Sequence, residues 1–352
     1  MGTILPSNLR RLLRDERAAT AVLFTVFLTA MVGLMGAAVD MGALYTAKAQ
    51  LQNAADAAAL AAANTMLGTN AQNLAVAQPG TALSTAQTFS AANQALGVNL
   101  PLKSPLGSDF TIGYWDPSTG AFDPSRTGLG ITNPDWLTGV QVKVRRDNSA
   151  NTPIHTFFAG IVGLKQVELT AQSTAFLGFP GRVPSGVVDL PIAVLSSSIG
   201  NGDGPVDGQP IVFRSNNNQD GEWTTFFTWP ANNPNVDKYV DGTLPIPSLK
   251  VGDDINMTNG TLSNCTFQDL KDRFDANAVD GQWQVTLPVI KAPGCGANQA
   301  EVVGFTTYVI TDVELAPQKL VNGFIKTQTV VTDSSTGGGN YGARAAFSSL
   351  VR

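Results

Sequence analysis

The sequence predicts an α+β protein: a long N-terminal transmembrane helix packed on an antiparallel sheet, followed by a second β-rich exported domain. Three observations predict it. Ala18 to Val39 carries no charge, Leu51 to Asn64 holds eight alanines in fourteen residues, and from Asp109 onward apolar and polar residues alternate in short runs. The expected divisions are a cytoplasmic basic tail at 1–17, a membrane helix at 18–39, an alanine-rich helix with an antiparallel β domain at 40–180, and a β-rich exported domain at 187–352. The length of 352 residues suits two domains or one domain and an anchor. A hydrophobic content of 43% can fill a sizeable core, and a charged fraction of 14% suits a surface or extracytoplasmic protein. A net charge of −5, with no basic run past the N-terminus, excludes nucleic acid as a partner.

As a helix, the uncharged run spans ~33 Å against a hydrocarbon core of ~30 Å, so it is long enough to cross a bilayer. Arg10, Arg11, Arg14 and Arg17 precede it, and Lys48 is the one base in the twenty residues that follow. The positive-inside rule therefore leaves the N-terminus in the cytoplasm and exports the rest, giving a single-pass bacterial inner-membrane protein with its bulk in the periplasm. A cleaved signal peptide is the rival, with Gly36 and Ala38 as small residues near a cut. The apolar run is longer than a signal peptide needs, and the helical pattern continues past Asp40, which favours a retained anchor. Glu16 could serve a prepilin-type site, but Arg11 would then precede the cut in place of a small residue, so that processing is not expected.

Alanine has the highest helix propensity and loses no side-chain entropy, so the segment from Asp40 to about Leu67 continues the helix into a rod ~75 Å long. Leu44, Leu51 and Ala58 recur at heptad spacing, with Ala47, Ala54 and Ala61 between them, which predicts a packing seam made mostly of methyl groups. Gly33, Gly36 and Gly42 continue the small-residue theme inside and at the end of the span, which suits close packing against its own domain or a partner, the alternative being a solvated helical stalk. Ser84 to Leu96 is expected as a second helix capped by Ser84 and ended by Gly97. Strands are expected at 109–115, at 139–147, where Val140, Val142 and Val144 alternate with Gln141, Lys143 and Arg145, and at 166–177. "IHTFFAGIVG" between them reads as a short apolar helix or turn.

"GFPGRVPSG" at 178–186 is expected to be a boundary between domains. Strands then dominate, with one helix from Phe267 to Asn277 burying Phe267, Leu270 and Phe274 and preceded by Thr266. "WPANNPNVD" reads as an Asn-rich turn, and "SSTGGGN" at 334–340 as a flexible loop before a final strand.

Chemistry-bearing residues are sparse. The single histidine, His155, is flanked by Ile154, Phe157 and Phe158, which predicts a buried or half-buried packing role rather than catalysis. Cys265 and Cys295 could close a loop of about thirty residues, worth roughly 3 to 4 kcal/mol in an oxidising compartment. One histidine and two cysteines lack the spacing of a zinc site. Asn201, Asp203 and Asp207 lie in a glycine-rich stretch with no EF-hand pattern, so an acidic turn is expected there rather than a calcium site. No metal, cofactor or catalytic residue is expected.

The segment from Gly33 to Ala63 resembles the Tad (tight-adherence) family of Flp-pilus assembly proteins, the TadE/TadG-like group. The matching positions are Gly36, Asp40, Tyr45, Leu51, Gln52, Asn53, Asp56 and Leu60. "GYWDPSTGAF", "VQVKVRRD", "IHTFFAGIVG" and "VELTAQSTAFLG" are similar to the usual continuation, to about residue 180. A long helix before an antiparallel meander also resembles the pilin-like architecture. The resemblance implies a bitopic membrane protein that helps to assemble or anchor an adhesive pilus. Its partners would be the inner membrane, other Tad/Flp assembly proteins and further copies of itself. Asp40 is either an interfacial carboxylate where the helix leaves the lipid or a polar contact to another subunit. Some relatives carry a von Willebrand A metal site, but in "VLSSSIG" Leu195 stands where its aspartate would be. The competing function is a membrane-tethered periplasmic hydrolase or ligand-binding receptor with its site in 187–352, for which a converging acid/base set would be the mark.

Overall fold

The computed structural model describes residues 16–72, 74–103, 108–117, 119–123, 137–200, 205–215, 220–258, 260–293 and 298–351. Most of the basic tail, Asn201, Asp203 and Cys295 lie outside the described residues, and with them the acidic turn and the pairing of the two cysteines. Helix α1 runs unbroken over Glu16–Thr65, 50 residues. Among the described residues it is the one helix long and apolar enough to cross a membrane. Helix α2 follows at Pro79–Ala92. It starts earlier than expected because Pro79, with its fixed φ, occupies the first turn, while Ser84 donates to the Thr81 carbonyl instead of capping. Leu96 and Gly97, both at positive φ, turn a short ribbon after the helix has ended.

The strands of the first body are β1 (Phe110–Asp116), β2 (Ala121–Asp123), β3 (Gly139–Arg146) and β4 (Leu169–Phe176). Then come β5 (Phe179–Val183), β6 (Ile192–Leu195), β7 (Pro210–Arg214), β8 (Gly221–Phe226), β9 (Leu249–Lys250) and β10 (Asp254–Met257). The last are β11 (Trp283–Ile290), β12 (Gln299–Glu314), β13 (Leu320–Lys326), β14 (Thr329–Gly338), β15 (Ala343–Phe347) and β16 (Ser349–Val351). The first sheet has the order β16-β4-β3-β1-β2 and is antiparallel throughout. Val140, Val142 and Val144 of β3 face inward as their alternation predicts, against the alanine face of α1.

That alanine face is wider than a heptad seam. Ala47, Leu51, Ala54, Ala55, Ala58, Ala59, Ala62 and Ala63 are all fully buried, whereas Ala61 is only half-buried. Two neighbouring stripes are covered because β3 and β4 pack on one side and α2 on the other, with Ala82 and Ala86 of α2 in the same core. Methyl-sized side chains let three elements close on one helix at short range.

In the second body seven strands take the order β7-β13-β12-β10-β8-β6-β11, and the pairing of β11 with β12 closes five of them into a ring. A four-stranded sheet, β9-β5-β14-β15, lies beside it. The two glycine-rich stretches expected as boundary and loop are strands, and they pair with each other. β5 runs antiparallel to β14, so close that a Cβ on Gly181 would fall 2.5 Å from the Gly337 carbonyl carbon, and one on Gly338 2.0 Å from the Pro180 oxygen. Glycine is there for backbone approach, not for flexibility.

Two further helices cap this body. Helix α3, Asn233–Val240, replaces the expected Asn-rich turn; Asn232 caps it, accepting from the Asn235 N–H at 3.2 Å. Helix α4, Asn264–Asn277, buries Phe267, Leu270 and Phe274 as expected, but Ser263 is the cap, accepting from the Thr266 N–H at 3.0 Å.

The chain ends by returning to its beginning. β16 pairs with β4, and Ser348 N–H donates to Asn64 Oδ1 of α1 at 2.7 Å. Arg344 is buried, donates to the Leu137 carbonyl at 3.0 Å and stacks over the Phe179 ring at 5.2 Å.

Candidate functional site

The residues singled out in sequence divide between two places along α1. The first is where the helix meets a hairpin from the sheet. At the end of β3, Arg146 is buried and clamps the hairpin base, donating to the carbonyls of Ala95 at 2.7 Å, Thr152 at 2.9 Å and Pro153 at 3.2 Å; burial holds its guanidinium pKa below the usual value. Ile154 and His155 pair with Val167 and Gln166, and a 3₁₀ turn at Ala159–Val162 forms the tip. Gly163, at φ 98°, closes the turn and lets the chain come back.

The tip lies against Asp40 and Gly36. Asp40 Oδ1 accepts from the Phe157 N–H at 2.8 Å, while Oδ2 accepts from Phe158 at 3.0 Å and Ala159 at 2.7 Å. Its carboxylate is only 5% exposed and is met by three successive amide donors, a strong charge-assisted arrangement. One turn toward the N-terminus, Gly36 receives the Phe158 ring so closely that a Cβ would sit 2.5 Å from its Cγ. Gly33 and Gly42 touch nothing within 4 Å. Of these three glycines, therefore, only Gly36 is a contact of this chain with itself.

The second place is the alanine block. Leu51 is fully buried and Leu60 packs at the edge of the same core. Gln52 Nε2 donates to Asp56 Oδ1 at 2.8 Å and to the Gln172 carbonyl at 3.3 Å. Lys48 reaches the Thr170 carbonyl two residues earlier on β4. These side chains occupy the edge of β4 beyond the short β16, the stretch of a sheet that otherwise offers itself to a foreign strand. A groove of about 600 Å³ opens here, lined by Gln52, Asp56, Trp115, Gln172 and Leu350 among others. Tyr45 and Asn53 of the same set face outward, Tyr45 72% exposed, and touch neither place.

His155 departs from expectation. Strand alternation turns Ile154 inward and His155 outward, and the two phenylalanines that follow are on the tip, outside the core. Cys265 is an exposed thiol in the first turn of α4. Among the described residues no group of three or more His, Cys, Asp or Glu side chains could hold a metal. The residues sequence reasoning missed are Phe157, Phe158 and Ala159 as partners of Asp40. The signal available was an apolar "FFAGIVGL" run of the wrong length for a core element.

Residues 18–65 match the family described as putative Flp pilus-assembly TadE/G-like, and residues 57–175 match one described as putative Tad-like Flp pilus-assembly. No curated protein and no solved structure matches the chain. The two matches overlap inside the alanine block and end at β4, covering most of α1, strands β1 to β4 and the hairpin, so over residues 18–175 the chain is similar to these Flp pilus-assembly families.

Proposed function

We propose that this protein is a non-enzymatic, single-pass component of Flp/Tad pilus assembly, held in the bacterial inner membrane with its N-terminus in the cytoplasm and its β-rich bodies in the periplasm. The observation that carries this reading is the contrast along α1. Residues 20–35 are exposed on every side and apolar, whereas from Ala47 the same helix is built into the first body. A continuous helix of this kind fits a retained anchor, since removing the apolar part would cut through the element that holds Asp40 and the hairpin. The arginines at 10, 11, 14 and 17 support the orientation.

Because Ala54 and Ala58 are fully buried within the chain's own core, partner helices would meet α1 through its free surface: the span around Gly33, and Tyr45 and Asn53 beyond it. The second body would offer contacts to other periplasmic components. Deleting the gene should abolish or reduce surface pili; normal piliation would remove the reading. Gly33→Leu and Tyr45→Ala should lower pilus number at unchanged protein level, while an unchanged count would assign α1 to anchoring alone.

A further inference from the structure

We propose that the tip of the 154–167 hairpin is a second membrane contact, an apolar wedge resting in the bilayer interface beside the anchor. The proposal rests on the single-pass reading of α1. Four large apolar side chains stand out from this one tip: Phe157 is 79% exposed, Ile161 82%, Leu164 54% and Phe158 41%. Soluble surfaces rarely gather such a patch on a projecting turn, and a patch of this kind marks a protein or membrane contact.

The choice between those two comes from depth. Phe158 lies on Gly36, and Gly36 is three residues before Val39, the last of the uncharged run, or ~4.5 Å back along the helix axis. The hairpin does not merely approach the membrane end of α1; its tip overlaps the span. A turn fixed at that depth is in the headgroup and upper acyl region, where apolar side chains of interfacial elements settle. Backbone placed there must have its polar groups met by protein. Six amides of the turn are met in this way: those of Phe157, Phe158 and Ala159 go to Asp40, and those of Ile161, Gly163 and Leu164 go to the carbonyls of Phe158, Gly160 and Ala159. Asp40 gains in the same contact, since three donors replace the water that a carboxylate loses near lipid. Lys165, exposed immediately after the patch, lies at the height of lipid phosphates. The wedge would fix the tilt and rotation of the rod, which a lone helix leaves free.

The test is depth-resolved quenching of added tryptophans in the full chain, reconstituted into vesicles of phosphatidylcholine and phosphatidylglycerol with acyl chains brominated at shallow or deep positions. Ile161→Trp and, as a second variant at another exposed position, Leu164→Trp should add emission that shallow bromines remove. Phe89→Trp, on the exposed face of α2, should add emission that no brominated lipid affects, and Leu28→Trp, within the span, should respond most to deep bromines. If Leu28→Trp is quenched while both tip variants behave like Phe89→Trp, the wedge is overturned and the anchor stands. If neither the tip nor Leu28→Trp responds, the anchor itself fails and the wedge with it.

Discussion

The two halves of α1 both carry small residues and use them in opposite ways. Between Thr20 and Met35 every described side chain is exposed, and the larger ones, among them Leu23, Phe24, Leu28 and Leu34, point outward. Between Ala47 and Ala63 the larger residues are few and the methyl groups are sealed under β3, β4 and α2. In the first half a small residue leaves room that nothing in this chain fills; in the second it is the reason three elements can share one helix. Between them lie Gly36 and Asp40, where a single turn of helix changes from one use to the other.

The largest effect should come from Ala59→Leu. Three added carbons have nowhere to go in a closed core, so the body should lose about 3 kcal/mol or more, read as a fall in the thermal midpoint of the detergent-solubilised chain. Ala30→Leu, the same change in the exposed half, should leave that midpoint unchanged. Equal effects would break the comparison.

Only the bodies, and not the anchor, should respond to mild acid. Burial pushes the Asp189 carboxyl up to about 6, against the opposing pull of the Thr286 N–H and of Arg273. A group with a raised folded pKa favours folding below its unfolded value near 4, and that contribution is lost as pH rises through about 6. Stability should therefore fall on the order of 2 kcal/mol from pH 4 to pH 7 through this residue, and Asp189→Asn should flatten that part of the profile. A profile unchanged by the substitution would assign the titration elsewhere.

Gly36→Val should come next, displacing the Phe158 ring and loosening the hairpin by about 1 to 2 kcal/mol, while Gly33→Val should do nothing to the fold. Trypsin cleavage after Lys165 would read the difference. The smallest change should be local: Asp40→Asn retains a carbonyl but removes the charge, so amide hydrogen exchange at Phe157, Phe158 and Ala159 should quicken without a measurable shift of the global midpoint. Unchanged exchange at those amides would mean that the carboxylate does not hold the turn.

The extent of α1, the alternation of β3 and the apolar face of α4 were legible because each is a pattern within one element, and a 3.6- or 2-residue period survives whatever packs against it. The heptad reading of the alanine block was only partly right. A heptad seam describes one narrow stripe, whereas the real neighbours are a sheet and a helix at once, which cover Ala55, Ala59, Ala62 and Ala63 as well. The glycine-rich stretches at 178–186 and 334–340 read in sequence as a domain boundary and a loop rather than as paired strands, because glycine has the same appearance whether it frees a turn or admits a neighbouring backbone.

By itself, the sequence determined a charge-free helix of membrane length, its continuation through alanine, and the family signature from Gly36 to Leu60, since these depend on propensity, length and residue identity alone. Only the tertiary structure decided what Asp40 and Gly36 are for, that β16 returns to the first sheet, and that the alanine face is closed by the chain's own elements. Those are contacts between residues far apart in the chain, more than a hundred positions for Asp40, Gly36 and β16, and no local preference encodes which distant backbone will arrive beside a carboxylate or a missing side chain.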